Sequence, residues 1–221
     1  MGKEHWENIY ATKGMQEVSW FQKVPRTSLE LINQVAKNKQ DAIIDIGGGD
    51  GFLVDNLFAL GYTDIGGGDG FLVDNLLVLG YTDITVLDIS KNAIDRAKKR
   101  LGKLAEKVKW ILADTTEFVP EQEYVIWHDR AVFHFLTEQQ EKENYRKLVN
   151  SAVSGYFILA TFSDQGPNKC SGLEICNYTK HDMQVFFSVN LNMISSFKYN
   201  HPTPFGTYQN FLFSVFKKLN E

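Results

Sequence analysis

A chain of 221 residues with 43% hydrophobic content can bury one domain core, and two complete domains would be cramped. Its net charge of −4 offers no basic face for a phosphate backbone, which argues against nucleic acid as a partner. The two cysteines, Cys170 and Cys176, suit neither a disulfide framework nor a zinc knuckle, and no apolar run reaches the ~20 residues that span a bilayer. The polar start "MGKEHWENIY" is too hydrophilic for a secretory signal, so the expectation is a cytoplasmic protein with no membrane contact.

In chain order, helix-forming "TSLELINQVAK" leads into "AIIDIG" from Ala42, a compact strand that ends in glycines. Helical patterns follow from Phe52 and again from Phe71. Next come strand "ITVLDIS" from Ile84, an amphipathic helix over 91–107 whose Lys98-Lys99-Arg100 cluster reads as a solvated face, and strand "VKWILAD" from Val108. "EYVIWHD" from Glu123 and "GYFILATFS" from Gly155 are further strands. They flank the helix "TEQQEKENYRKLVNSAV", with Thr137 as N-cap and Gln140 at the capping-box position. "MISSFKYN" and "YQNFLFSVFKK", joined by turn-forming "HPTPFG", predict an antiparallel pair at a sheet edge. Strands alternating with helices specify an α/β fold, read as a single domain over 1–221.

One feature is duplicated. Residues 45–63 and 64–82 are tandem nineteen-residue copies that differ only where Phe58-Ala59 becomes Leu77-Val78. Copy one is preceded by the apolar strand Ala42-Ile43-Ile44. Copy two is followed at the right distance by the next strand, since Asp88 lies 18 residues beyond Gly70 but 37 beyond Gly51. One copy is therefore an insertion. Replacing the strand by "GYTDIG" would forfeit the burial of Ile43 and Ile44, about 1.5–3 kcal/mol each. Two arrangements remain, because "FLVDNL" is common to both helices. Either copy one forms loop and helix while residues from Gly61 to Thr82 bulge out before the second strand, or the strand stays and copy two supplies the packed helix, with the surplus emerging at the ligand end, where it wrecks or covers the site. Tolerance of surface connections to insertion favours the first.

Asp45-Ile-Gly47-Gly-Gly49-Asp-Gly51 spells D-x-G-x-G-x-G between a strand and a helix. Glycine there allows a sharp turn and close approach to a ligand, and the helix N-terminus presents free N–H groups. A dinucleotide fingerprint would need glycine at position 52, where Phe52 stands, which disfavours a nicotinamide-dependent oxidoreductase. Asp88 ends the second strand, where a carboxylate can accept both ribose hydroxyls. Asp114 ends the third, where it can take an adenine amino group. Taken singly, each could be an ordinary N-cap.

With these motifs the chain resembles the class I S-adenosylmethionine-dependent methyltransferases over nearly its whole length. The resemblance implies a Rossmann-like, seven-stranded, mostly parallel sheet with helices on both faces and an antiparallel C-terminal strand pair. It implies S-adenosylmethionine as cofactor, with Asp45, Gly47, Gly49 and Gly51 at its methionine part. Asp88 would hold the ribose, Ile89 would pack on the adenine, and Asp114 and Thr115 would border the adenine edge. "HWENIY" and "SWFQ" resemble the N-terminal lid, over 1–40, of the thiopurine methyltransferase-like and methyltransferase-like lysine methyltransferase groups. Trp6, Tyr10, Trp20 and Phe21 would then cover the cofactor or simply pack the N-terminal helices. The expected activity is methyl transfer to a small-molecule or protein acceptor by a monomer or dimer, the alternative being a binding fold impaired by the duplication. "WHDRAVFHF" after the fourth strand offers Asp129 to orient or deprotonate a nucleophile and His134 as a base. Their structural alternatives are an Asp129–Arg130 ion pair and a helix-face histidine.

Overall fold

The computed structural model describes residues 2–22, 25–48 and 72–219. Seven strands form one sheet in the order β3-β2-β1-β4-β5-β9-β8. They are β1 (Ile43–Ile46), β2 (Ile84–Asp88), β3 (Val108–Leu112), β4 (Tyr124–Arg130), β5 (Val153–Phe162), β8 (Leu191–Pro202) and β9 (Tyr208–Lys218), while β6 (Lys169–Cys170) and β7 (Leu173–Glu174) make a separate small hairpin. The first five run parallel, and β9 enters antiparallel to both β5 and β8. The strand order reverses between β1 and β4, the switch point beside which open α/β sheets bind ligands.

Both faces of the sheet are covered, which is why β1 and β2 are buried at every position. On one face Ile43, Ile84, Val86, Ile126 and Ile158 pack with α1 (Lys3–Thr12), α2 (Arg26–Val35), α3 (Leu72–Val78) and α4 (Lys91–Leu101). On the other, Ile44, Ile46, Leu87, Trp127, Phe157 and Leu159 pack with α5 (Gln139–Ala152) and α6 (Lys180–Phe186).

The duplication resolves against the favoured expectation. The strand is the one before copy one, but the described helix that packs on the sheet, α3, belongs to copy two, with Val73 and Leu76 buried. Helix burial could not distinguish the copies, because their apolar faces are the same. What fixes copy two is its exit. Gly80, at φ +86°, ends α3, and the Tyr81 N–H reaches back to the Leu76 carbonyl at 2.9 Å. The buried Tyr81 then donates to Asn33 on α2 at 2.9 Å, and the Thr82 N–H bonds the Lys39 carbonyl at 3.0 Å. The chain thus enters β2 directly, with no surplus between α3 and β2. Copy-one residues from Gly49 onward, including the expected site residues Gly49 and Gly51, lie outside the described residues.

Smaller departures have local causes. The helix from Lys91 stops at Leu101, because Gly102 adopts φ +54°, and continues as a 3-10 turn to Lys107. Helix α5 is capped by Glu138, one residue later than expected.

Candidate active site

A cleft opens at the carboxyl ends of β1, β2, β3 and β4, floored by strand ends and roofed by the N-terminal segment. Asp45, Gly47, Asp88, Ile89, Asp114 and Thr115 all line it, so the structure brings these sequence-derived residues together. Gly47 sits at φ +66°, and a Cβ there would lie 2.3 Å from Val132 Cγ2, so the position requires glycine. Asp88 accepts the Ser90 N–H at 2.8 Å, and Asp114 accepts the backbone N–H of Thr116 at 2.8 Å and its hydroxyl at 2.7 Å. Each carboxylate therefore shapes its own turn while facing the cleft. The Thr115 hydroxyl is buried without a partner among the described residues.

The roof is aromatic. Trp6, Tyr10, Trp20 and Phe21 line the cleft, with Trp6 edge-on to Trp20 at 5.8 Å and to Phe135 at 5.1 Å. Packing and covering are the same contacts here. Two anchors hold the roof. Glu7 on α1 accepts the Lys91 N–H at 2.8 Å, the Asn92 N–H at 3.0 Å and the Ser90 hydroxyl at 2.9 Å, so it caps the N-terminus of α4. The second anchor comes from the antiparallel pair. His201 on β8 bonds the Ser19 carbonyl at 2.9 Å and Gln22 at 3.2 Å, and Gln209 on β9 donates to the Ser19 hydroxyl at 3.2 Å.

The two expected catalytic residues are elsewhere. Asp129 is fully buried on the α5 face, where it accepts the Val132 N–H at 2.9 Å, the Phe133 N–H at 3.2 Å and the Tyr145 hydroxyl at 2.5 Å. Burial pushes its carboxyl up to about 6 against these hydrogen bonds. It organises the turn after β4, where Ala131 takes φ +74°, and the expected Asp129–Arg130 ion pair is absent among the described residues. His134 is buried in a 3-10 turn, with Nδ1 accepting the Phe162 N–H at 3.1 Å, and burial, then the nearby Arg130, push its imidazole down to about 3. It is a neutral packing residue, and neither side chain lines the cleft.

The residues missed are the alternate neighbours of Asp129 on β4. His128 and Arg130 point to the opposite face from Asp129 and line the cleft. His128 Nδ1 is 2.7 Å from Asp45 Oδ1, its register partner on β1, and Nε2 is 2.9 Å from Ser28 Oγ on α2. A carboxylate accepts only, so Nδ1–H donates to Asp45, and in the neutral imidazole that leaves Nε2 to accept from Ser28. All three are buried, a chain Asp45–His128–Ser28 along the cleft wall.

Comparisons with known proteins agree with this fold. Residues 63–153, from the end of copy one through β5's first residue, match a family model described as a methyltransferase domain. No curated protein sequence matches the chain. Among solved structures, a SAM-dependent methyltransferase from Anabaena variabilis ATCC 29413 aligns at 16% identity over 98% of this chain and 93% of that one, with TM-score 0.67. The 1,6-didemethyltoxoflavin-N1-methyltransferase of Burkholderia thailandensis, with bound 1,6-didemethyltoxoflavin and S-adenosylhomocysteine, aligns at 11% identity over 99% and 84%, with TM-score 0.62. The N-methyltransferase NodS of Bradyrhizobium japonicum, in complex with S-adenosylhomocysteine, aligns at 12% identity over 88% and 86%, with TM-score 0.59. The chain has the Rossmann-like fold of the S-adenosylmethionine-dependent methyltransferases.

Proposed function

We propose that this chain is an S-adenosylmethionine-dependent methyltransferase acting on a small-molecule or peptide acceptor held in the cleft. The observation that carries the reading is the convergence of Asp45 near the end of β1, Asp88 at the end of β2 and Asp114 just beyond β3 on one cleft under an aromatic roof. These residues suit the cofactor's chemistry. Asp88 is placed for ribose hydroxyls, Ile89 for an adenine face, and Asp114 with the unpartnered Thr115 hydroxyl for the adenine edge. Gly47 leaves room at the methionine end. Bound there, S-adenosylmethionine would supply an electrophilic methyl group on a good leaving group, and the protein's task is alignment. The aromatic roof, with Trp6 and Trp20, supports kinship with the thiopurine methyltransferase-like groups.

His128 takes the base role expected of His134. Oriented by Asp45, its Nε2 can hold a proton passed through the Ser28 hydroxyl from an acceptor. H128Q should bind S-adenosylhomocysteine within about twofold of wild type and lose about 10²-fold or more in transfer to a hydroxyl or thiol acceptor. Equal rates would remove His128 from the chemistry.

The experiment for the reading itself is calorimetric titration of S-adenosylmethionine, S-adenosylhomocysteine and NAD into this chain and into one lacking residues 64–82. Micromolar binding of the sulfur ligands by both chains supports a working site. Binding by the shortened chain alone would make this protein a methyltransferase in fold only, and preference for NAD would sink the reading.

A further inference from the structure

Arg130 ends β4 on the side of the cleft toward β5 and β9, away from the strand-end acids Asp88 and Asp114. Its guanidinium lies 5.0 Å over the Phe211 ring, and Nη1 donates to the Trp20 carbonyl at 3.3 Å. Nε and Nη2 are buried with no hydrogen-bond partner among the described residues. Burial draws the Arg130 group down to about 10, still charged at neutral pH. An arginine's planar fork with two idle donors is complementary to a planar anion, and leaving such donors unpaired out of water is costly.

Among the described residues no side chain forms an ion pair or hydrogen bond with the Arg130 guanidinium. Asp45, the carboxylate that acts on Arg130 across the cleft, is engaged at 2.7 Å by His128. Burial holds the Cys170 thiol up at about 11, so it carries no charge. His134 and His201 are neutral, pushed down to about 3 and about 4 by burial first and by Arg130 second. The surrounding cleft wall is apolar, made by Phe135, Phe162 and Phe211. One cation is thus set into an aromatic wall at the edge of the cleft, with two of its donors unpaired among the described residues.

We propose that Arg130 is the anion receptor of this cleft and that the molecule it takes is a small carboxylic acid with an apolar or aromatic body. That this acid is also the methyl acceptor rests on the methyl-transfer reading, whereas the anion site itself does not. The same fork could instead receive the cofactor's own carboxylate, and the two sources are separable.

Benzoate and its neutral counterpart benzamide are titrated by ligand-observed NMR into wild type, R130Q and R130K, without and with saturating S-adenosylhomocysteine. S-adenosylhomocysteine and 5′-methylthioadenosine, which lacks the carboxylate, are then titrated alone. Wild type should prefer benzoate to benzamide, and R130Q should lose about ten- to a hundredfold in benzoate affinity with benzamide unchanged. R130K, which keeps the charge without the fork, should fall between. Affinity for S-adenosylhomocysteine should be the same in wild type and R130Q. Equal benzoate binding by all three proteins would overturn the proposal. So would a loss in R130Q confined to S-adenosylhomocysteine and spared for 5′-methylthioadenosine, since the anion held would then be the cofactor's. Arg130-dependent benzoate binding by a chain that ignores S-adenosylhomocysteine would uphold the anion site and sink the methyl-transfer reading instead. R130M serves as the folding control. Removing an unpaired buried charge while keeping the stem should leave the melting temperature unchanged or raise it, and a collapse in stability would mark Arg130 as structural.

Discussion

Glu7→Ala should undock the roof of the cleft without unfolding the sheet. The first turn of α4 leaves backbone N–H groups without intrahelical acceptors. The Ser90 hydroxyl takes that of Ala93 at 3.2 Å, and the Glu7 carboxylate takes those of Lys91 and Asn92 at 2.8 and 3.0 Å. Loss of a side-chain cap costs about 0.5–2 kcal/mol and loss of a negative charge at a helix N-terminus about 0.3–1. Glu7 is only partly buried, so solvent replaces much of this and about 1 kcal/mol is the realistic loss. That corresponds to about fivefold faster amide exchange over 3–12, with exchange in β1 and β4 unchanged. E7Q, which keeps one acceptor oxygen, should show about half the effect. Burial raises the Glu7 carboxyl, but the N–H groups of Asn92 and Lys91 and the Ser90 hydroxyl outweigh it and hold the group below its ordinary 4.5. Its contribution is therefore complete above that value and vanishes as pH falls through the lower folded value. The difference between E7A and wild type should accordingly fade as pH falls below 4.5. Exchange over α1 that is indifferent to E7A at pH 7, read by mass spectrometry, would refute the anchoring argument.

Gly47→Ala should destabilise the chain by about 2–3 kcal/mol, because φ +66° alone costs a residue with Cβ about 1–2 and that Cβ would stand 2.3 Å from Val132 Cγ2. V132A should recover the clash but not the backbone term, and purely additive losses in urea denaturation would contradict this geometry. Stability should also fall as pH drops from 6 toward 4. His134 and His201 titrate at about 3 and about 4 when folded, against 6.5 unfolded, so the unfolded state binds more protons throughout that window. Asp129, held up at about 6 against an ordinary 3.8, opposes them because the folded state binds its proton first. Two losses against one gain leave a net fall of about 1–2 kcal/mol per pH unit, and a flat profile in D129N and wild type alike would reject both assignments.

The strands, their parallel arrangement and the acids at their ends were legible because burial on both faces writes near-continuous apolar runs that stop where the ligand begins. What was misread lies on β4. A strand alternates its side chains, so Ile126, His128 and Arg130 share one face, while Trp127 and Asp129 share the other with Tyr145 and Phe157. That alternation places Asp129 away from the cleft, while His134 lies beyond the strand in a 3-10 turn to which it does not apply. Counted from the core residue Trp127, alternation assigns Asp129 to the interior and His128 and Arg130 to the opposite face. The partners of His128 and His201 were out of reach, since Ser28 and Ser19 are about a hundred or more residues away in sequence and no local pattern links them.

The duplication was undecidable from burial, and the reason is also a test. Gly47 and Gly48 of copy one follow β1 directly, and the sequence from Gly49 to Phe71 joins them to Leu72. Deleting 45–63 or 64–82 rejoins the same strand to the same loop, and the products differ only at the two positions now held by Leu77 and Val78, which would become Phe and Ala in the second. Val78 is 46% exposed and Leu77 only partly buried at the cluster edge, so neither exchange opens a cavity or overfills the core. The two shortened chains should therefore agree in stability within about 1 kcal/mol and bind S-adenosylhomocysteine alike. A marked difference between them would mean that α3 is held by contacts at its last turn rather than by Val73, Leu76 and Tyr81, and the account of why copy two provides the packed helix would have to be rebuilt.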